Sequence, residues 1–322
     1  MLVMITVTHN SSKYIKRLVE SIERSTVRPS LWIFVDSGSE DRTVQLLNDI
    51  SANIPYIKVI CLRRNAGYSS SVNIAVRELV RADPSEDLLL LVCNADGYFE
   101  RNSLEKIISC AGNGITQPMI LRADGGIDSA GNLMSLSGVV CPSQSIEMGF
   151  FYLSGACFLI PLRVYLDIGG MDSDIFLGAD DLDLSWRAML RGFELRICHN
   201  AIFFHHGGRE ISPKKMEYRV YSLIWTMAKC LPLHLMPAIL ASISIHLFAS
   251  LLLSIYRRTP LYVLSVVKAV IKVLKNGKLL LRKRHHVRSR KLVRDEEILR
   301  RMTPTGLVLK IAMRRYLSGV LR

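Results

Sequence analysis

One short run constrains this chain more than any other: Leu88-Leu89-Leu90-Leu91-Val92-Cys93, six apolar residues followed at once by Asn94-Ala95-Asp96-Gly97. Six residues are too few to cross a bilayer, and a continuous apolar run bounded by a turn reads as a strand buried on both faces. Such a strand needs helices above and below it. Its abrupt end delivers an amide and a carboxylate to the C-terminal edge of a sheet, where open α/β folds bind ligands. A carboxylate there suits a divalent cation that itself holds a diphosphate. The same four residues also make an ordinary Asx-turn, so the flanking chain has to decide.

Three further strands precede this one. Residues 2–7 are apolar and end at Thr8-His9-Asn10-Ser11-Ser12. Leu31–Val35 ends at Asp36-Ser37-Gly38-Ser39, and Ile57–Ile60 leads to Arg64-Asn65-Ala66-Gly67. Apolar spacing between the strands predicts helices around 15–22, 41–49 and 71–79, the first capped by Ser11 or Ser12. Strand and helix alternating at this interval predict an α/β fold: an open, mostly parallel sheet with helices on both faces. Four successive strands ending in polar turn residues place a nucleotide-sized set of side chains along one sheet edge. The glycine fingerprints G-x-G-x-x-G and G-x-x-x-x-G-K-[ST] are both absent, which leaves a metal ion as the neutraliser of phosphate charge.

Beyond residue 110 the pattern loosens. The segment 110–150, with Asp128-Ser-Ala-Gly131, reads as loop-rich with short antiparallel strands, and Tyr152–Pro161 as another buried strand. Five aspartates then fall between 172 and 183. An EF-hand is excluded, because Phe176 would occupy the fifth loop position and the glycine falls at the seventh instead of the sixth. Leu182, Trp186, Met189 and Phe193 follow helical spacing, so Asp180 and Asp181 enter a helix. The helix dipole favours ionised carboxylates there, and an ionised carboxylate is what a general base acting on an alcohol needs. Ile197–Phe204 is a last strand, ending in His205-His206-Gly207-Gly208, a histidine pair that becomes a ligand candidate beside an aspartate-bound metal.

Taken in order, these residues resemble the family-2 inverting glycosyltransferases with the GT-A fold, and within them the rhamnosyltransferase-like branch of cell-envelope polysaccharide synthesis. The similarity runs over about residues 2–210. Thr8-His9-Asn10-Ser11 matches the turn after the first strand, and Asp36-Ser37-Gly38-Ser39-Glu40-Asp41 matches the element that grips the nucleoside. Arg64-Asn65-Ala66-Gly67-Tyr68 with Asn73 matches a third motif. Asn94-Ala95-Asp96 stands where the family has its metal-binding D-x-D or N-x-D. Asp180-Asp181-Leu182-Asp183-Leu184 with Arg187 matches the acidic helix motif, and His205-His206 the histidine near the end of the catalytic domain.

The resemblance implies roles for each position. Thr8, Asn10, Asp36, Ser37, Asn65, Gly67, Asn73, Asn94 and Asp96 would bind the nucleotide sugar. Asp96 with His205 or His206 would hold Mg²⁺ or Mn²⁺. Asp181, the second acid of its motif, would be the base, with Asp180 beside it and Asp183 and Arg187 positioning the acceptor. The donor implied is dTDP-rhamnose or a UDP-linked hexose, and the acceptor a glycan or polyprenyl-linked sugar. Asn94 in place of an acid keeps open a non-catalytic scaffold of the same fold. A nucleotidyltransferase would want a glycine-rich basic loop after the first strand, which Thr8–Ser12 does not supply.

From Tyr218 the chain turns helical and apolar. Leu231–Tyr256 holds no Asp, Glu, Lys or Arg, whereas Lys278–Lys291 carries seven Lys/Arg and no acid, a large share of the net charge of +14. The first stretch is long enough to span a bilayer, but Pro232, Pro237, His234 and His246 interrupt it. Lys268 and Lys272 punctuate Leu261–Leu274 at helical spacing, which suits a helix lying in the interface. The expected arrangement is a catalytic domain over 1–210 and a helical, basic, membrane-associated extension over 211–322. The extension would lie on the anionic cytoplasmic leaflet as a peripheral element or a single weak span; a packed helical domain in a homodimer is the other outcome. Nucleic acid is set aside for want of interleaved aromatics or a binding motif. Seven cysteines with no C-x-x-C pair argue against a disulfide framework or zinc site and for a reducing compartment. The apolar N-terminus lacks a basic leader and reads as a first strand, not a signal peptide.

Overall fold

The computed structural model describes residues 1–82, 87–207 and 212–320, the side chains of 315–320 excepted. The strands in chain order are β1 (Leu2–Thr8), β2 (Leu31–Ser37), β3 (Ile57–Leu62), β4 (Leu89–Asn94), β5 (Gly97–Phe99), β6 (Gly114–Leu121), β7 (Ile127–Ser129), β8 (Asn132–Met134), β9 (Val140–Pro142), β10 (Cys157–Pro161) and β11 (Glu194–His205). The α-helices are α1 (Ser12–Glu23), α2 (Thr43–Asn53), α3 (Tyr68–Ala82), α4 (Ser103–Ser109), α5 (Leu162–Asp167), α6 (Asp180–Leu190), α7 (Pro213–Cys230), α8 (Pro237–Tyr256), α9 (Leu261–Lys275), α10 (Gly277–Ser289), α11 (Asp295–Leu299) and α12 (Thr305–Val320).

Contacts divide the chain into two compact units. One comprises Met1–Gly131, Leu153–Phe176 and Phe193–Gly208; the other Asn132–Tyr152, Leu177–Gly192 and Arg209–Arg322. The expected boundary between 210 and 211 lies outside the described residues. The second unit also draws in two earlier segments, because their apolar residues pack there. Leu133, Val139 and Cys141 form a cluster with Val308, and Phe151 meets Trp186 edge-on at 5.1 Å.

The first unit is built on a nine-stranded sheet in the order β3-β2-β1-β4-β10-β6-β11-β5, with β7 on β6. The parallel half is the one that strand–helix alternation predicted: β3, β2, β1 and β4 all run together. Past β4 the sheet is mixed, since β10 runs antiparallel to both β4 and β6, while β6 and β11 pair in parallel. The change comes where the alternation ends, because strands without an intervening helix are free to reverse. Side chains alternate across the sheet. Leu2, Met4, Trp32, Phe34, Leu91 and Cys93 face one core with Ile15, Leu18 and Ile22 of α1, Leu47 of α2 and Leu104 and Ile107 of α4. The intervening residues face the other side, where α3 buries Val72, Ala75, Val76 and Leu79. Helices therefore cover both faces, and the strand ends are left as the edge on which ligand groups can gather.

Cys110 and Cys198, 88 residues apart, form a disulfide. This corrects the expectation of no such bond. The two cysteines share no sequence motif and meet only because Cys198 of β11 lies against the end of α4.

In the second unit α8 is inverted relative to a soluble helix. Its buried residues are Ser242, Ser250 and Ser254, while Phe248, Leu251, Leu252 and Ile255, spaced as one helix face, are 49–66% exposed. On α9, Leu264, Val267, Ile271 and Leu274 form a second exposed apolar stripe. Among the described residues one helical stretch, Leu233–Tyr256, is long and apolar enough to cross a membrane, and 17% of its most apolar window is buried. The basic cluster is divided in its use. Arg284 Nη1 donates to the carbonyls of Ala228 and Leu231 at the end of α7, both at 2.7 Å, and Arg288 pairs with Asp295 at 2.6 Å. Lys275, Lys278 and Arg282 are exposed.

Candidate active site

The first unit assembles two groups of side chains along its strand ends. At β1 and β2, Thr8 Oγ1 donates to Asp36 Oδ1 at 3.0 Å, and the Ser39 amide donates to Asp36 Oδ2 at 2.9 Å. Asp36 is 1% exposed, so its two oxygens lock the turns around it. Asn10, strained at φ +52°, accepts from the Glu40 amide at 2.9 Å and donates its own amide to Ser39 Oγ at 2.8 Å. A non-glycine residue at positive φ is stored strain of the kind found at ligand sites. Ser37 Oγ accepts from the Ala66 amide at 2.9 Å and donates to Asn65 Oδ1 at 3.3 Å. Gly67, at φ +81°, admits no side chain, because a Cβ would lie 2.8 Å from Phe176.

Thr8, Asn10 and Asp36 thus form one hydrogen-bonded set and Ser37, Asn65 and Gly67 a second, joined where Asp36 meets Ser37. Asn73 is not brought to either. Its amide donates to Met171 O (2.8 Å) and Ser173 Oγ (3.0 Å) and accepts from Tyr165 Oη (2.6 Å), tying α3 to α5 and the turn that follows it. The side chain serves the scaffold there, a use invisible without the fold.

The second group lies where β4 ends beside β11. The antiparallel register sets His205 opposite Gly97, and His205 Nε2 lies 3.3 Å from Asp96 Oδ1 and 3.4 Å from Asn94 Nδ2. The other ring nitrogen, Nδ1, is 3.1 Å from Asp128 Oδ2. Burial alone would lower the His205 pKa, but the two flanking carboxylates raise it to about 9. Burial would likewise raise Asp96, yet the bond and charge of His205 outweigh it and hold the carboxyl below its ordinary range.

His206 lies just past the end of β11, and its backbone amide donates to Asp96 O at 2.9 Å. Its ring lies 5.4 Å from that of Tyr14 and lines a pocket with Lys13, Arg17 and Gly97. Of the two histidines expected as ligands, the structure sets His205 beside Asp96 and His206 in an aromatic wall.

Asp96 and His205 would hold a divalent cation in place of the proton that Nε2 shares with the carboxylate. Donor atoms about 2.1 Å from an octahedral ion lie about 3 Å from one another when adjacent, close to the 3.3 Å between Oδ1 and Nε2. Among the described residues no three His, Cys, Asp or Glu side chains converge as a protein-only cage. Mg²⁺-type ions are characteristically held by one or two protein groups together with substrate phosphate.

The second unit presents the acidic helix. Gly178 (φ +76°) and Ala179 (φ +53°) turn the chain into α6, and Asp181 Oδ1 accepts from the Leu182 amide at 2.8 Å. The helix dipole was expected to keep both acids ionised. Instead burial, and then the adjacent charge of Asp181, raises Asp180 to about 7. Two carboxyls in one half-buried place cannot both ionise cheaply, and this outweighs the dipole. Nearby Tyr152 is buried, and its phenol is pushed well above its ordinary range by burial and by the charge of Asp181.

Asp183 and Arg187 are not on that acidic surface. Asp183 is 0% exposed. Arg187 Nε donates to its Oδ2 at 2.7 Å, and Lys229 of α7 pairs with its Oδ1 at 2.5 Å. The pair expected to position an acceptor is an internal ion cluster joining α6 to α7. Lys229 was missed because it stands 46 residues from Asp183, inside what reads as an apolar helix. Its one signal was a lone cation among apolar neighbours.

Residues 3–127 match the family model described as Glycosyl transferase family 2. The N-acetylglucosaminyl-diphospho-decaprenol L-rhamnosyltransferase of Mycobacterium tuberculosis is 23% identical over 233 residues, covering 63% of this chain and 75% of that protein. Among solved structures, the mannosyltransferase PcManGT from Pyrobaculum calidifontis, in complex with GDP-Man and Mn²⁺, aligns with a TM-score of 0.55 at 15% identity, over 85% of this chain and 86% of that one. GalNAc-T7 with UDP, GalNAc and Mn²⁺ aligns with a TM-score of 0.58 at 15% identity over 71% of this chain, which spans 48% of that structure. The ordered motifs, the family match over residues 3–127 and the sheet order agree: the protein is a sugar-transferring enzyme of GT-A fold that carries a glycosyl transferase family 2 domain and is similar to a rhamnosyltransferase.

Proposed function

We propose that this enzyme moves a sugar, with inversion, from a nucleotide diphosphate donor to a hydroxyl of a lipid-linked cell-envelope glycan. The 3.3 Å approach of Asp96 to His205 carries the reading, because it leaves a two-donor grip that a cation can complete with substrate oxygens. Mg²⁺ or Mn²⁺ bound there would neutralise charge on the leaving diphosphate. The polar set from Thr8 to Gly67 holds the nucleoside end, its turns already fixed before any ligand arrives, so little ordering cost falls on binding. Asp181 takes the proton of the acceptor hydroxyl as that oxygen attacks the anomeric carbon, and Asp180 holds back its own proton until about pH 7. The rhamnosyltransferase relative makes dTDP-rhamnose the first donor to try and a polyprenyl diphosphate sugar the first acceptor. UDP-linked hexoses are the next donors to test.

Hydrolysis of a panel of nucleotide sugars, with and without Mg²⁺ or Mn²⁺, tests this. One donor should be turned over only with metal, and Asp96→Ala should abolish that turnover. Equal turnover by Asp96→Ala, or turnover indifferent to a chelator, would refute the metal's role.

We further propose that the second unit rests on the cytoplasmic leaflet through the exposed faces of α8 and α9. A helix that buries serines and exposes leucines has the arrangement of a helix solvated by lipid, and Lys275, Lys278 and Arg282 supply cations for anionic headgroups. The full chain should float with vesicles of anionic phospholipid. Replacing the three cations by Gln should weaken binding by about 1 kcal/mol each, and Phe248→Asp with Leu252→Asp should abolish it. Flotation unaffected by the aspartates would instead mark these faces as contacts in a dimer.

A further inference from the structure

Asp128 has no place in the motif set, yet the fold delivers it to the metal edge by a specific device. In the β6–β7 ladder Ile120 opposes Ser129 and Leu121 opposes Ile127. Antiparallel pairing without a break would set Leu121 opposite Asp128, so Asp128 is the extra residue of a β-bulge. Bulges bend a strand and re-aim one side chain, and they recur beside active sites. The chain after the bulge is pinned: Gln117 Nε2 donates to Ser129 O at 3.1 Å, and Ser129 Oγ donates to Gly131 O at 2.9 Å. The re-aimed carboxylate reaches His205 Nδ1 at 3.1 Å, while Nε2 of the same ring faces Asp96.

We propose that Asp128 is a positioning residue for the metal ligand His205. Its carboxylate accepts Nδ1–H, which leaves Nε2 as the lone-pair nitrogen aimed at the cation beside Asp96. An imidazole can ligate through either nitrogen, and the hydrogen bond made by the other one decides which. A carboxylate behind the ring also makes the ligating nitrogen more basic. With Asn94 in place of a first acid, the protein's own charge at this edge is reduced to Asp96, so a second carboxylate acting through the ring restores part of it. The inference rests on the proposed metal site.

The test is Mn²⁺ affinity of the full-length protein, read by electron paramagnetic resonance of free Mn²⁺ in the presence of a nucleoside diphosphate. Wild type is compared with Asp128→Ala, Asp128→Asn, His205→Ala and Asp96→Ala. Asp128→Ala should bind Mn²⁺ about 10–100-fold more weakly, while its affinity for the nucleoside diphosphate without metal stays at the wild-type value. Asp128→Asn, whose amide oxygen still accepts Nδ1–H, should recover most of the loss. If His205→Ala and Asp96→Ala lose Mn²⁺ but Asp128→Ala does not, Asp128 has no positioning role and the metal site stands. An Asp128→Asn variant as weak as Asp128→Ala also overturns the orientation role. If none of the variants differs from wild type, the metal site itself is refuted, and the inference with it.

Discussion

Asp181→Asn is expected to lower turnover by about 10²–10⁴-fold, the usual worth of a positioned general base, while donor binding stays near the wild-type value. The amide keeps the size of the carboxylate and its acceptor oxygen for the Leu182 amide, so the start of α6 should survive. What it removes is the ability to take a proton. The pH dependence follows from the same pair. Asp180, raised to about 7, is protonated below that pH and ionised above it, and the two acids titrate as a unit. Ionisation of Asp180 places a second negative charge beside Asp181 and makes it the stronger base, so kcat/KM of the wild type should rise as pH passes upward through about 7 and level off above it. Asp180→Asn removes the like charge and should move this inflection to lower pH. Donor hydrolysis and acceptor transfer measured across pH 5–9 check both points. Full activity of Asp181→Asn would eliminate Asp181 as the base.

The second large effect concerns stability. Asp183→Ala should destabilise the protein by about 3–5 kcal/mol, the cost of breaking a buried ion pair by removing one partner. Asp183, Arg187 and Lys229 expose 0%, 8% and 2% of their side chains, so removing the carboxylate strips two buried cations of their shared counter-charge. Adding Lys229→Met should recover part of the loss, because one desolvated charge then goes with its partner. Denaturant melts of the two variants against wild type would show this. If Asp183 positioned an acceptor instead, Asp183→Ala would leave the melt unchanged and raise the acceptor KM.

The parallel half of the sheet could be read from the chain because its signals are local. Leu88–Cys93 is too apolar to face water and too short to span lipid, and three earlier strands alternate with helices at the same interval. Asp96 is a candidate because an apolar run breaks there, and Asp180 and Asp181 are candidates because helical spacing begins at them. The order of the motifs along the chain then carried the family. The mixed half of the sheet escaped this reading, because β10 runs against both β4 and β6 without any change in apolar pattern.

What only the tertiary structure decided are pairings between distant residues. That the His205 ring meets the Asp96 carboxylate depends on strand register, which sets His205 of β11 opposite Gly97 of β5. The Cys110–Cys198 disulfide, the Asp128–His205 contact and the Asp183–Lys229 pair each join residues tens of positions apart, and no local pattern records which partner a side chain meets. Asp183 and Arg187 match the acidic motif in sequence, yet burial turns them from surface groups into an ion cluster. Local sequence sets where a charge sits along its helix or strand. Whether that charge meets water, a ligand or another charge is settled by what the rest of the chain packs against it.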